Sequence, residues 1–135
     1  MTDFSFLADD VLIDALIVQV GDLLRQLIEH GKEGSIDLLG MPLSPSCVAV
    51  LEQRLGRGEI SVLLDAAGRS EIQETSFPGV WWTRHTDETG RVIALLIEVA
   101  FVPDIVRANL DDMTRGCRRL LGSTNVARRT ARTAA

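Results

Sequence analysis

Apolar residues between Ile13 and Ile28 fall at three- and four-residue steps, at Ile13, Leu16, Ile17, Val20, Leu23, Leu24, Leu27 and Ile28. This spacing lines one face of a helix and predicts one from about Asp10 to His30. Gly31 follows as a left-handed cap, and Asp9 and Asp10 sit where the positive end of a helix dipole favours carboxylates. Ser35-Ile36-Asp37-Leu38-Leu39 reads as a short strand, and Gly40-Met41-Pro42-Leu43 turns the chain toward Ser44-Pro45. Ser44 as N-cap with Pro45 at the first helical position starts a second helix, which carries Val48, Leu51 and Leu55 and stops at Gly56.

Beyond Gly56 the period changes to that of strands. Glu59–Leu64, Arg69–Ser76, Val80–His85 and Arg91–Phe101 read as four consecutive strands, punctuated by Gly68, Pro78-Gly79 and Asp87-Glu88-Thr89-Gly90. Connections this short favour antiparallel neighbours. In the last strand Ile93, Leu95, Ile97, Val99 and Phe101 form one face, and on the other only Glu98 interrupts Val92, Ala94, Leu96 and Ala100. A strand apolar on both sides should lie centrally in the sheet, with both faces covered. Pro103 closes it, and Asp104–Leu121 is expected to be helical, with Gly116 in its middle and a start as late as Asn109. The predicted class is α+β: a mainly antiparallel sheet of four to five strands packed by an N-terminal amphipathic helix, a short middle helix and a C-terminal helix. Residues 1–122 are expected as one domain, and 123–135 as a flexible basic tail.

Composition agrees with a globular domain, since 46% of the 135 residues are hydrophobic and 24% charged. A chain of this length buries about two thirds of its unfolded surface in one core. No apolar run is long enough to cross a bilayer, and Met1-Thr2-Asp3-Phe4 is acidic where a secretory signal would be basic, so a cytoplasmic protein with no membrane partner is expected. The net charge of −5 hides an asymmetry. Before Arg115 stand all nineteen acidic residues but only eight basic ones, a balance of −11, whereas Arg115, Arg118, Arg119, Arg128, Arg129 and Arg132 crowd the C-terminus. These arginines have no interleaved aromatics and no nucleic-acid motif beside them, so nucleic acid is not an expected partner.

Candidate chemistry is sparse. Cys47 and Cys117 are far apart and belong to no Cys-x-x-Cys pair, so plain thiols are expected and no metal site. Ser61, Ser70 and Ser76 lack a glycine-rich elbow, and His30 and His85 fall at the ends of elements, where surface positions are expected. Glu71 and Glu74, at odd spacing on a strand, point to opposite faces and make a poor acid–base pair. Glu59, Glu74 and Glu98 can share the sheet, with Arg69 as a ready partner. Gly56-Arg57-Gly58 is only a fragment of a phosphate loop, with no lysine after it.

Phe77-Pro78-Gly79-Val80-Trp81-Trp82 stands out, because it holds both tryptophans of a chain without tyrosine. Adjacent strand positions face opposite ways. One indole is expected in the core; the other is either an exposed anchor for a partner or a second packing residue.

Several short blocks, taken in order, resemble a known family. They are Ile36-Asp37-Leu38, Met41-Pro42-Leu43-Ser44-Pro45, Leu55-Gly56-Arg57-Gly58-Glu59-Ile60-Ser61, Gly68–Thr75, Phe77-Pro78-Gly79-Val80-Trp81-Trp82, Ile97-Glu98-Val99 and Pro103. Their succession is similar to the conserved-region domain of hydrogenase expression/formation proteins of the HupH/HyaF type, over roughly Ile13 to Ile105. Typical members are longer and carry two related halves. The resemblance implies a non-enzymatic accessory or chaperone in nickel-iron hydrogenase maturation, without a cofactor, whose partner is the hydrogenase small subunit, its precursor or other maturation proteins. It transfers no catalytic residue, so Arg69, Glu74, Trp81, Trp82 and Glu98 are candidates for partner binding. The single-copy length suggests a homodimer that restores the paired halves. Two rival classes are a metal or cofactor carrier, which needs soft or imidazole ligands grouped in space, and a small-molecule enzyme, which needs a polar pocket with a perturbed carboxylate.

Overall fold

The computed structural model describes residues 4–133, so Met1-Thr2-Asp3, on which the expectation of a cytoplasmic chain drew, lie outside the described residues. The described chain divides after Pro103 into two units. The first runs α1 (Phe4–His30), β1 (Gly34–Asp37), α2 (Pro45–Leu55), β2 (Ser61–Asp65), β3 (Arg69–Glu74), β4 (Val80–Thr86) and β5 (Val92–Val99). The second holds a 3-10 turn over Asp104–Val106, α3 (Leu110–Gly122) and α4 (Asn125–Thr133).

The five strands form one antiparallel sheet in the order β1-β5-β4-β3-β2. Each link from β2 to β5 is a tight turn between neighbours, and β1 reaches the far side of β5. β5 is an internal strand, second from one edge, flanked by β1 and β4. Leu95, Ile97 and Val99 are buried and Ala94, Leu96 and Glu98 half-buried, but Val92 and Ile93 at its start are exposed, so the expected cover of both faces does not reach that end.

Register fixes which residues share a face. Trp82 lies opposite Ile97 and Gln73, and Trp81 opposite Glu98 and Glu74. The apolar stripe of α1, with Ile13, Leu16 and Val20, joins Cys47, Leu51 and Leu55 of α2 and Ile36, Val80, Trp82, Leu95 and Ile97 of the sheet in one core. Both helices therefore cover the Trp82 face. Each fully buried aliphatic side chain here contributes roughly 1.5–3 kcal/mol relative to exposure.

Local signals set the helix ends. Ser44 Oγ accepts from Cys47 N at 3.1 Å, capping α2 one residue before Pro45. Gly56 ends it at φ +72°, and a Cβ there would collide with the Ser76 hydroxyl. α1 starts earlier than Asp9 and Asp10, so these carboxylates belong to the helix body and not to its first turn. Asn109 caps α3, its Oδ1 accepting from Asp111 N at 2.8 Å, which explains why the helix begins after the 3-10 turn. No residue of α3 or α4 is buried, and Leu110, Met113, Leu120 and Leu121 form an exposed apolar series along α3. Residues 125–133, read from sequence as part of a tail, form α4.

Candidate functional site

Strand β4 is the pivot of the candidate site, because its alternating residues supply both faces of the sheet. On the helix-covered face, Trp82 and Arg84 line a groove of about 320 Å³ beside the C-terminal end of α2. Arg69, Glu71 and Gln73 of β3, Ser61 and Leu63 of β2, and Glu52 and Arg57 complete it. The groove lies between residues at the end of α2 and the helix-side face of β2 and β3. Within it Arg69 Nε pairs with Glu71 Oε1 at 3.4 Å, and Arg84 Nη2 stands 3.9 Å from Glu52 Oε2. Gln73 Nε2 donates to the carbonyls of Glu74 at 2.9 Å and Gly58 at 3.2 Å, while Ser61 Oγ donates to its Oε1. Two buried donors here have no partner, Trp82 Nε1 and Arg84 Nε.

On the opposite face Trp81 lies between Glu74 and Glu98. Its Nε1 donates to the Ala100 carbonyl at 3.0 Å. Glu74 Oε1 accepts from Glu59 N at 3.2 Å, which ties the segment before β2 to the end of β3. Arg69 sits on the other face and pairs with Glu71, so the expected pairing of Arg69 with Glu74 or Glu98 does not form.

Of the two expectations for the second tryptophan, an exposed anchor or a packing residue, the structure has the packing residue, since both are buried. Trp81 is 6% exposed and Trp82 5%. The alternation of faces is as read from sequence, but each face is covered at β4, and the Trp81 indole is additionally held by a buried hydrogen bond. Among the described side chains, the exposed aromatics lie at one end of the sheet instead. Phe77 is 49% exposed and Phe101 69%, with Val102 also exposed. Ala100 N donates to Gly79 O at 2.9 Å, which brings the turn carrying Phe77 beside the segment carrying Phe101. The turn is itself tied: Thr75 Oγ1 donates to Val80 O at 2.9 Å and accepts from Phe77 N at 3.2 Å. Sequence reading missed this pair because Phe101 was assigned to the apolar face of β5, whereas the strand ends at Val99.

Register also brings Ser70 and His85 together, with Ser70 Oγ and His85 Nδ1 2.5 Å apart. His85 is half-buried, a correction to its expected surface position, and the pairing of β3 with β4 is the cause. A serine beside a histidine resembles a nucleophile and base, but no hydrogen bond that would orient the other ring nitrogen is seen among the described residues. His30 is exposed at the end of α1, as expected. Among the described residues no three His, Cys, Asp or Glu side chains come together as a metal site, and no helix is long and apolar enough to cross a membrane.

The chain is similar to proteins connected with hydrogenase formation. It is 26% identical over 113 residues to the hydrogenase expression/formation protein HoxQ of Azotobacter vinelandii, covering 77% of this chain and 40% of that protein. Against HupQ of Azotobacter chroococcum the identity is 29% over 117 residues, covering 84% of this chain and 41% of the relative. The chain thus spans about two fifths of the length of these curated relatives. The solved hydrogenase expression protein HupH from Thiobacillus denitrificans superposes with a TM-score of 0.78 at 38% identity, over 81% of this chain and 91% of that one, and shares the α+β architecture. Residues 13–126 match the family described as HupH hydrogenase expression protein, C-terminal conserved region, and by that match the chain belongs to the HupH family.

Proposed function

We propose that the protein is a non-enzymatic accessory in nickel-iron hydrogenase maturation, a cytoplasmic chaperone that binds the hydrogenase small subunit or its precursor. The observation that carries a binding role is the exposed aromatic end of the sheet, where Phe77 and Phe101 meet solvent beside the Gly79–Ala100 tie. Large apolar side chains held on a rigid turn lose little entropy when a partner covers them, and aromatic residues dominate interface energies. Among the residues singled out from sequence, Trp81 and Trp82 act from beneath this surface by fixing β4. Glu74 and Glu98, both paired with Trp81 in the strand register, are kept as polar contacts beside it, whereas Arg69 lies at the other end of β3. The names of the relatives support hydrogenase formation as the setting.

The test is capture of the hydrogenase small subunit by the tagged protein from cells expressing both. Wild type is expected to retain the subunit, and the double variant Phe77→Ser/Phe101→Ser to lose it by about tenfold, as for removal of an interface anchor. Unchanged far-UV circular dichroism and thermal unfolding certify that the variant is folded. Failure of folded wild type to capture the subunit, or full capture by the double variant, refutes the reading.

A further inference from the structure

We propose that the groove between the end of α2 and the helix-side face of β2–β4 is a carboxylate-binding pocket, in which Trp82 and the arginines beside it receive an anionic oxygen pair. The proposal goes beyond the accessory role and does not depend on it, since the groove is distinct from the Phe77–Phe101 end of the sheet.

The first observation is an unmet need. Trp82 is 5% exposed and its Nε1 has no partner, whereas Trp81, equally buried on the next position, uses its Nε1 fully on Ala100 O. A buried donor without an acceptor is destabilising, because its hydrogen bonds to water are lost and not replaced. Two residues along the same strand face, Arg84 Nε is also buried and without a partner. Both missing partners are acceptors, so the complementary ligand supplies oxygen lone pairs and not protons.

The second observation is charge. Arg57, Arg69 and Arg84 line the groove against Glu52 and Glu71, a surplus of one positive charge. A carboxylate carries one negative charge and two oxygens, which matches the surplus and offers an acceptor for each of the two unpaired donors on this strand face. A phosphate dianion overshoots the surplus and meets repulsion from Glu52 and Glu71. A neutral amide oxygen satisfies an N–H and leaves the charge uncompensated. The volume of about 320 Å³ suits one short side chain or one small acid.

Entry requires the Arg84 side chain to move. Trp82 Nε1 and Arg84 Nε are shut from water, yet Arg84 is restrained toward Glu52 only at 3.9 Å and its side chain is more than a third exposed. Turning that guanidinium toward an incoming carboxylate opens the groove to the indole. Arg57 adds an exposed guanidinium at the lip that has no ion pair among the described residues.

The two tryptophans provide an internal control for the test. In 15N-labelled protein each indole gives its own N–H resonance, and Trp81 serves as the unmoved reference. The probes are N-acetylglutamate N-methylamide, its glutamine counterpart, inorganic phosphate, and a capped pentapeptide with glutamate at its centre. The expected result is a saturable shift of the Trp82 indole signal with the glutamate probe, and none with the glutamine probe. Arg84→Gln is expected to weaken binding about tenfold, as for loss of a charge-assisted hydrogen bond. The exposed Arg57→Gln is expected to weaken it about threefold with the amide spectrum otherwise unchanged. Tighter binding of the pentapeptide assigns the carboxylate to a polypeptide; equal binding assigns it to a small free acid. A Trp82 signal that does not move, moves equally with glutamine, or responds more strongly to phosphate overturns the proposal.

Discussion

Replacing Trp81 by phenylalanine should cost more stability than the same change at Trp82, although the two indoles are adjacent, chemically identical and buried to within 1% of each other. The shared part of the cost is the smaller ring. Some 40 Å² of apolar surface is lost, worth about 1 kcal/mol at 25 cal/mol per Å². The difference lies in the ring nitrogen. Trp81 Nε1 donates to Ala100 O at 3.0 Å in a buried setting, and phenylalanine leaves that carbonyl facing a C–H edge, at a further cost of about 1–3 kcal/mol. Trp82 Nε1 has no partner, so phenylalanine removes an unsatisfied donor and recovers part of the ring's cost. The expected totals are about 2–4 kcal/mol for Trp81→Phe and 1 kcal/mol or less for Trp82→Phe. Urea unfolding followed by circular dichroism at 222 nm measures both, and the fluorescence of the remaining indole in each variant reports the sheet directly. Equal costs, or a larger cost at Trp82, would show that hydrogen-bond satisfaction does not separate the two positions, and would remove the first support for the carboxylate pocket as well.

Two further outcomes follow from the surroundings of single residues. Asp87 accepts from Thr89 Oγ1 at 2.6 Å and from the backbone N–H groups of Thr89 and Arg91, and these bonds hold its carboxyl below the ordinary value of 3.8, the Thr89 hydroxyl most of all. A depressed carboxyl contributes stability that is present above the unfolded value and lost as pH falls through the folded one, so wild-type Tm should fall more steeply than that of Asp87→Ala between about pH 4 and pH 2; parallel curves would refute this. Cys117 is exposed, whereas Cys47 is buried in the core with its thiol pushed up by burial and by Asp9 and Asp10. In native protein a thiol-specific disulfide reagent should therefore modify one cysteine promptly and the second only on unfolding, and two fast equivalents would contradict the packing of α2.

Local signals were legible in the sequence wherever one residue and its neighbours decide the conformation. Ser44-Pro45 gave the start of α2, and its cap forms as read. The glycine that stops the helix and the turns between β2 and β5 are equally local, and the antiparallel order follows from their shortness. The apolar run of β5 correctly indicated an internal strand, because a strand needs two apolar faces only when it has neighbours and cover. The start of α1 was misplaced since acidic residues suit a first turn but are tolerated in a helix body, and charge preference is too weak to mark a boundary alone.

The candidate site was less legible because it depends on register, which no single segment encodes. Alternation correctly sent Trp81 and Trp82 to opposite faces, but whether a face is covered depends on residues distant in sequence. For Trp81 the decisive partner is Ala100, nineteen positions away, and for Trp82 it is the helical layer built by residues such as Leu16 and Leu51. The contact of Ser70 with His85 and the split of Arg69 from Glu74 are likewise consequences of pairing β3 with β4. The same dependence explains why the groove was invisible: its arginines and glutamates come from α2, the loop after it, β3 and β4, each unremarkable as a surface charge in its own segment. What could have been read is that α2 is short relative to a five-strand sheet. α2 has eleven residues, about 16 Å at 1.5 Å per residue, against a five-strand sheet about 19 Å wide at about 4.8 Å per strand. α1 packs on β5 and β1, so the uncovered area had to fall over β2 and β3, where the groove lies.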